Sequence, residues 1–288
     1  MKRRPDFLVV GAAKAGTTSL YAYLAAHPGV YMSPVKEPHF YSRVEPDPRV
    51  ASIYTIVRDD AAYARLFEPA GARVAGEAST SYLCDPTAPA RIAADVPGAR
   101  IVIMLREPVE RAHSHYLNGV REGLEARSFE DAVRAGLAGE PPRWGAALYV
   151  DLGRYCAPVR RYMDLFGDRV LVLFFEEFFA DVRAQFARVC SFLGVDDAEA
   201  APEAEVHNPY AAPRSRLSTA LLGSPAARAL GRRLVPPRGR AAFRSLLLRA
   251  QDKPPIDERV RRLLEDAYRD EPACLERLLG RPVPWAPP

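Results

Sequence analysis

The hydrophobic pattern near the start of the chain changes period within twenty residues. An uninterrupted apolar run covers Phe7 to Val10 and ends at Gly11, whereas Leu20 and Leu24 lie one helical turn apart and are separated by less apolar positions. A continuous apolar run of this length is typical of a buried strand, and apolar residues at four-residue spacing are typical of a helix. The pattern therefore predicts a strand, a loop and a helix in that order.

The same alternation of apolar runs and helical spacing continues through the first two thirds of the chain. Further strands are predicted at 29–32, 73–76, 100–105 and 169–175, with helices at 108–119 and 181–193 among those between them. Strands that alternate with helices favour an α/β fold, in which a parallel sheet is covered by helices on both faces.

The pattern changes after Gly194, where strand signals vanish and alanine, arginine and proline dominate. Helices are predicted at 215–222, 241–250 and 257–269. We therefore expect a single domain over 1–288, made of an α/β core over 1–200 and a C-terminal helical region over 201–288 that packs on the sheet.

Composition and charge narrow the class of protein. The 288 residues are 48% hydrophobic and 26% charged, which is ordinary for a soluble enzyme. No window approaches the roughly 18 apolar residues of a membrane span, and the basic start Met1–Arg4 lacks a signal-peptide cleavage site, so a cytoplasmic location is expected. The net charge is +4, with arginines crowded between Arg214 and Arg249. That stretch predicts either an anionic partner or a solvated helix face.

The cysteines give no sign of a metal site. Cys84, Cys156, Cys190 and Cys274 are far apart in the sequence and lack the close paired spacing of a zinc or redox motif. We therefore expect buried, reduced thiols and no bound metal.

The loop between the first strand and the first helix has the composition of an anion site. Its backbone N–H groups can approach an oxyanion closely, and the helix N-terminus adds partial positive charge. The candidate ligands are Lys14, Ala15, Gly16, Thr17, Thr18 and Ser19. A plain glycine-rich helix entry is the alternative interpretation. The nucleoside-triphosphate loop pattern fails because Lys14 precedes the second glycine, which disfavours a kinase or ATPase.

Glu37 and His39 are candidates for acid–base chemistry. Pro38 favours an extended conformation for Glu37, and alternate side chains of an extended segment share a face. A carboxylate and an imidazole in one cleft can remove a proton from an attacking hydroxyl. The alternative is a surface loop in which Glu37 pairs with Lys36 or caps a helix.

Arg106 and Ser114 form a second candidate anion site. Arg106 follows the apolar strand at 100–105, Pro108 suits the first turn of the next helix, and Ser114 lies within that helix. A guanidinium and a hydroxyl can hold one phosphate together. A salt bridge from Arg106 to Glu107 or Glu110 is the alternative.

Three segments in this order resemble the PAPS-dependent sulfotransferases, particularly the heparan-sulfate-type and bacterial branches. They are Lys14-Ala15-Gly16-Thr17-Thr18, Glu37-Pro38-His39-Phe40, and Leu105-Arg106-Glu107-Pro108 with Ser114. The resemblance implies a P-loop-like fold that binds 3'-phosphoadenosine 5'-phosphosulfate (PAPS) without a metal. It gives the 5'-phosphosulfate to the first segment, the 3'-phosphate to Arg106 and Ser114, and the roles of base and assistant to Glu37 and His39.

The resemblance also leaves several points open. Relatives often carry lysine where this chain has Ala78, which makes an acidic saccharide acceptor less certain, and they place a Lys-Gly loop over the nucleotide for which Arg214 is the candidate substitute here. An exposed arginine is the alternative for Arg214. Glu77, at the end of the third strand, is a further residue without an assigned role. The candidate acceptor loops are Pro46 to Arg58 and Arg121 to Tyr149.

The predicted function is sulfuryl transfer from PAPS to a hydroxyl, or as a second choice an amine, of a saccharide, lipid or secondary metabolite. The desulfated product would be 3'-phosphoadenosine 5'-phosphate (PAP). No nucleic-acid partner is expected, and the oligomeric state is open. Two alternatives belong to other classes: a nucleotide kinase, and a noncatalytic protein that binds anions through its arginine-rich region.

Overall fold

A five-stranded parallel sheet forms the centre of the molecule. The computed structural model describes residues 2–46, 48, 54–139, 148–196, 211–213, 215, 218, 222, 224 and 248–285. The sheet consists of β1 (Phe7–Gly11), β2 (Val30–Met32), β3 (Val74–Ala78), β4 (Arg100–Leu105) and β5 (Val170–Phe174), in the order β2-β3-β1-β4-β5. The predicted parallel α/β architecture is thus confirmed, and each predicted strand lies within two residues of an observed one.

Helices pack around this sheet. Those of the described part are α1 (Thr17–Ala26), α2 (Asp60–Arg65), α3 (Ser81–Cys84), α4 (Ala88–Asp95), α5 (Pro108–Arg121), α6 (Phe129–Leu137), α7 (Cys156–Phe166), α8 (Phe175–Ala180), α9 (Val182–Leu193), α10 (Glu258–Ala267) and α11 (Glu271–Leu279). The strands read as unbroken apolar runs because helices cover the sheet, and residues Phe7 to Val10 have no exposed surface.

The topology of the sheet determines where a site can form. β1 pairs in parallel with β3 on one side and with β4 on the other, so the chain first builds β2 and β3 on one side of β1 and then crosses to the other side. In open α/β sheets, ligands bind at the carboxyl ends of the strands where the strand order reverses in this way. The loop after Gly11 lies at this switch point.

α5 carries much of the second candidate anion site, and its start is locally well determined. Pro108 occupies the first turn, and the Glu107 carboxylate accepts hydrogen bonds from the N–H groups of Val109 and Glu110. This confirms the predicted role of Pro108. A separate small apolar cluster, which includes Val109 of α5 and Leu264 of α10, joins the C-terminal part of the chain to α5.

The C-terminal region is only partly helical. Ala211–Pro213 (β6) pairs in antiparallel orientation with Leu248–Ala250 (β7), so the helix predicted over 241–250 is wrong at its last three residues. Three residues are too short to show a strand period, and the partner strand lies more than thirty residues away. α10 confirms the helix predicted over 257–269, while most of the one predicted over 215–222 lies outside the described residues.

The cysteines also depart from expectation. Cys156, at the start of α7, forms a disulfide with Cys274 of α11, so the prediction of reduced thiols is wrong for this pair. Cys84 and Cys190 are free thiols. The pairing was invisible in the sequence because 118 residues separate the two partners. The disulfide ties the C-terminal part of the chain to the core.

Within the described ranges, no helix combines the length and the apolar composition required to cross a bilayer.

Candidate active site

The loop after β1 enters α1 without a side-chain cap. Gly16 is the N-cap residue, with a φ of +91°, and no side chain accepts a hydrogen bond from the first turn of α1. A Cβ at Gly16 would lie 2.9 Å from the ring of Phe179, so both the backbone angle and the packing require glycine. The Ser19 N–H donates to the carbonyl oxygen of Gly16 at 3.0 Å, so the N–H groups of Thr17 and Thr18 are the ones that an anion at the start of α1 would meet.

Lys14 supplies the positive charge of this loop. Its Nζ donates to Oδ1 of Asn118 on α5 at 3.3 Å. Burial, and next the nearby charge of Arg121, lower the pKa of Lys14 to about 8. The side chain is thus mostly protonated at neutral pH, although burial makes its charged form less stable. A bound anion would stabilise the charged form.

Arg106 extends from the end of β4 to the same loop. Its Nη1 donates to the carbonyl oxygen of Lys14 at 3.4 Å, and its guanidinium carbon lies 4.4 Å from the centre of the Phe175 ring. The Tyr155 hydroxyl donates to the carbonyl oxygen of Arg106 at 2.8 Å. Nε of Arg106 is buried and has no hydrogen-bond partner among the described residues. A buried guanidinium N–H without a partner fits an anionic ligand.

Ser114 lies on the face of α5 that looks toward this loop. Glu110, Ser114 and Asn118 are spaced four residues apart and therefore share one side of the helix. Since Asn118 contacts Lys14, that side of α5 faces the loop between β1 and α1. The structure therefore brings the two predicted anion segments together at the end of β1.

Glu107 and Glu110, the alternative salt-bridge partners of Arg106, bind other groups. Glu107 caps α5, and the two carboxylate oxygens of Glu110 accept from Lys253 Nζ at 2.6 Å and from Arg261 Nη2 at 3.1 Å. Lys253 and Arg261 thus bring two further cations to the turn of α5 that precedes Ser114. Sequence reasoning missed both, because they lie more than 140 residues from Glu110 and no local motif marks them.

The side chains of Glu37 and His39 lie close together, but the backbone between them does not have the predicted extended conformation. Their φ angles are +61° and +52°, so this segment is in the left-handed region rather than extended. The Glu37 N–H donates to the carbonyl oxygen of Ala78, and the His39 N–H donates to Oγ of Ser79. These contacts with the end of β3 override the bias that Pro38 imposes. The side chains still converge, with His39 Nε2 3.6 Å from Glu37 Oε2.

The carboxylate of Glu37 is held by two donors. Lys36 Nζ donates to Oε1 at 2.9 Å, which is the pairing of the alternative interpretation, and the Thr80 hydroxyl donates to Oε2 at 3.0 Å. Burial raises the pKa of Glu37, but the charges and hydrogen bonds of Lys36, His39 and Thr80 outweigh it, so the net pKa lies below the ordinary value. Glu37 is therefore an ionised carboxylate at neutral pH.

His39 is neutral at the same pH. Burial lowers its pKa to about 4 against the opposing charge of Glu37. Its Nδ1 lies 2.8 Å from the hydroxyl oxygen of Ser81, and the ring of Tyr54 meets the imidazole edge-on with centres 5.6 Å apart. Tyr54, Thr80 and Ser81 complete this part of the site. Tyr54 lies in the candidate acceptor loop at 46–58, whereas no sequence signal marked Thr80 or Ser81.

Glu77 lies directly beneath these residues in the core. It is fully buried and accepts hydrogen bonds from the hydroxyls of Tyr63, Tyr82 and Ser79 at 2.6–2.7 Å. Burial raises the pKa of Glu77 to about 7 in spite of these bonds. Since Ser79 also accepts the N–H of His39, Glu77 supports the backbone of the catalytic candidates from below.

Some predicted residues fall outside the described part of the chain. Arg214 is one of them, as are residues 47 and 49–53 of the first candidate acceptor loop and 140–147 of the second. Among the residues that are described, no cluster of three or more histidine, cysteine, aspartate or glutamate side chains is arranged to hold a metal ion.

A parallel sheet with an uncapped, lysine-bearing loop at the end of its first strand defines a P-loop-like α/β protein. Comparison with known proteins gives the family: the model of the "Sulfotransferase family" matches residues 5–199. The chain therefore belongs to the sulfotransferase family, which confirms the resemblance to the PAPS-dependent enzymes.

Individual relatives agree with this assignment. The chain is 29% identical to human heparan sulfate glucosamine 3-O-sulfotransferase 6 over 197 residues, which are 67% of this chain and 53% of that protein. It is 30% identical over 170 residues to human carbohydrate sulfotransferase 15, covering 46% of this chain and 30% of that protein. The chain thus spans about half or less of the length of these curated relatives.

A solved structure matches along nearly the whole chain. The crystal structure of a sulfotransferase from Alicyclobacillus acidocaldarius shares 32% sequence identity with a TM-score of 0.72, and the alignment covers 97% of both chains. This alignment therefore reaches beyond residue 199, where the match to the family model ends.

Proposed function

We propose that the protein transfers a sulfuryl group from PAPS to a hydroxyl group, or as a second choice to an amine, of a saccharide, lipid or secondary-metabolite acceptor. The observation that carries this proposal is the convergence of Lys14 and Glu37 at the switch point of the sheet. The charge of Glu37 is close enough to act on the pKa of Lys14. A cation for the donor and a base for the acceptor therefore lie within electrostatic range of each other.

The residues around the loop fit the donor. The uncapped start of α1 and Lys14 suit the 5'-phosphosulfate, with Ala15, Gly16, Thr17, Thr18 and Ser19 as the surrounding loop and first turn. The partnerless Nε of Arg106, together with Ser114, suits the 3'-phosphate. When bound, PAPS supplies the activated sulfuryl group.

Lys14 stabilises negative charge where it develops. Sulfuryl transfer should resemble phosphoryl transfer in its demand for in-line positioning and for charge stabilisation at the leaving oxygen. A buried ammonium group acts strongly there, because its surroundings exclude most water. The transferred group carries less charge than a terminal phosphoryl group, so we expect Lys14 and the loop amides to suffice without Mg²⁺.

Glu37 accepts the proton of the acceptor. Its low pKa keeps it ionised at neutral pH, and Lys36 and Thr80 fix the orientation of its carboxylate. His39 assists as a neutral imidazole that lies against Glu37 and is itself oriented by Ser81.

Calorimetric titration with PAP, compared with ATP and magnesium, tests the donor site. We expect metal-independent binding of PAP that is lost in Arg106→Ala. Preference for ATP with magnesium would favour a kinase instead, and binding of neither would favour a noncatalytic protein.

A second measurement tests the base. Glu37→Gln should keep PAP affinity and lose turnover by about 10²–10⁴-fold, the usual contribution of a positioned general base. Near-normal turnover in Glu37→Gln would refute the assignment of the base while leaving the donor site intact.

The proposal includes the cytoplasmic location predicted from the sequence, because PAPS is a cytosolic donor. The disulfide between Cys156 and Cys274 is unusual for that compartment. Trapping the thiols with an alkylating reagent in intact cells before lysis tests the location, since oxidised Cys156 and Cys274 in every molecule would contradict it.

A further inference from the structure

A cavity of about 360 Å³ opens beside Thr80, the hydrogen-bond partner of the candidate base. It touches Ala12 and Ala13, which lead directly into Lys14, and it touches Thr80, whose hydroxyl donates to Glu37. A molecule in this cavity would therefore contact the start of the donor loop and Thr80, the residue that hydrogen-bonds the candidate base. A larger groove of about 760 Å³, near Lys2 and Arg65, shares none of these residues.

The walls of the cavity are mainly apolar. Beyond the donor loop and Thr80, the uncharged lining residues are Val44, Leu83, Cys84, Pro86, Leu148, Leu152, Tyr155 and Pro158. The charged lining consists of Asp151 and Arg154, which are both exposed and of opposite sign. Arg154 also donates to the carbonyl oxygen of Ala267 at 3.2 Å. The lining therefore adds no net charge that would attract a polyanion.

From this lining we infer that the acceptor is an alcohol with an apolar body, such as a lipid-like or hydrocarbon-rich metabolite, rather than an acidic saccharide. The apolar body fills the cavity between Leu83 and Leu152, and the hydroxyl lies at the Thr80 end beside Glu37. A pocket of a few hundred Å³ with apolar walls and a few polar groups at one end is the usual form of a small-molecule site. This inference rests on the proposed sulfotransferase activity.

In the transfer step, the acceptor oxygen forms a bond to the sulfur atom while the bond from sulfur to the phosphate oxygen of PAPS breaks. The hydroxyl proton passes to Glu37, and the bridging electron pair leaves with PAP. No oxidant, reductant or further reactant is needed.

A homologous series of straight-chain primary alcohols tests the inference, with radiolabelled PAPS as donor. Each methylene that enters the cavity should lower KM by about fourfold until the cavity is filled. A constant KM across the series, with turnover of methyl glycosides or sulfated oligosaccharides instead, would overturn the inference and leave the sulfotransferase proposal standing. Failure to bind PAP would instead remove the proposal itself, and the inference with it.

A pair of variants tests whether the dependence of KM on alcohol chain length arises in this cavity. Leu152→Asp places a charge on a half-buried wall position, whereas Leu165→Asp makes the same change at a leucine that is 46% exposed on α7 and outside the cavity. We expect Leu152→Asp to abolish the dependence of KM on chain length, with PAP affinity unchanged, and Leu165→Asp to keep it.

Binding without turnover gives a third readout. The PAP complex of the wild type should bind octanol in calorimetry, and the PAP complex of Leu152→Asp should bind it at least tenfold more weakly. Equal octanol binding by the two complexes would contradict the placement of the apolar body.

Discussion

The ammonium group of Lys253 lies 2.6 Å from Oε2 of Glu110, one helical turn before Ser114 on the same face of α5. This contact brings a lysine from the C-terminal region to the rim of the proposed 3'-phosphate site. Arg261 shares the same carboxylate. Glu110 thus pairs with two cations that a phosphate beside Arg106 and Ser114 would also attract.

We predict that Lys253→Ala weakens PAP binding by about tenfold, because a hydrogen bond between charged groups is worth about 1.5–3 kcal/mol. Calorimetric titration measures the change. Arg262→Ala is the control, since Arg262 is exposed and pairs with Glu258 on the outer side of α10, and it should leave the affinity unchanged. An unchanged affinity in Lys253→Ala, with a loss of stability alone, would limit Lys253 to a structural tie to Glu110.

The lowered pKa of Lys14 predicts how PAP binding depends on pH. Only the protonated lysine attracts the anion, and the pKa of Lys14 in the free protein is about 8. The affinity for PAP should therefore fall above pH 8, by up to about tenfold per pH unit, until it reaches the affinity of the neutral lysine form.

Calorimetric titrations between pH 6.5 and about 9.5 follow this profile. Lys14→Arg should flatten the alkaline limb whatever its absolute affinity, because arginine does not deprotonate in this range. The same alkaline limb in both proteins would assign the titration to another group.

The sequence predicted the framework of the site because long apolar runs and adjacent motif residues determine it locally. β1, the loop with Lys14, β4 and Arg106 each lie within one short segment, so period and spacing suffice. The fold class then follows from the alternation of strands and helices.

The remaining parts depend on contacts between distant residues. Thr80 reaches Glu37 across 43 residues, and Lys253 reaches Glu110 across 143. Glu37 itself adopts a positive φ because β3 accepts its N–H, a tertiary contact that outweighs the local preference before proline. Local pattern therefore predicted segments that the structure brings together here, but not their conformation or the distant residues that contact them.

The buried carboxyl group of Glu77 predicts a pH effect on stability. Its folded-state pKa of about 7 lies above the ordinary value of 4.5, so the folded protein holds this proton more tightly than the unfolded chain does. The contribution of Glu77 to the free energy of unfolding must then fall as pH rises from about 4.5 to 7. The shift corresponds to a loss on the order of 3 kcal/mol.

Urea unfolding of the wild type and of Glu77→Gln at pH 5 and at about pH 7.5 measures this contribution. The free energy of unfolding should fall more steeply with pH in the wild type than in Glu77→Gln, which cannot ionise. Glu45→Gln, at a side chain that is 77% exposed, should behave as the wild type. Parallel pH dependence in the wild type and Glu77→Gln would show that Glu77 does not titrate in this range.

The disulfide predicts a redox-dependent stability. Cys156 and Cys274 close a loop of 118 residues and hold α11 against α7, next to Tyr155, which supports Arg106. Reduction should lower the free energy of unfolding by about 2–4 kcal/mol, because the cross-link restricts the unfolded chain. Urea unfolding with and without a reductant measures the change, and Cys274→Ser should be as unstable as the reduced wild type and insensitive to the reductant. Since Cys84 and Cys190 are the only other cysteines in the chain, thiol titration of the unreduced, denatured protein should find two free thiols, and four would contradict the pairing.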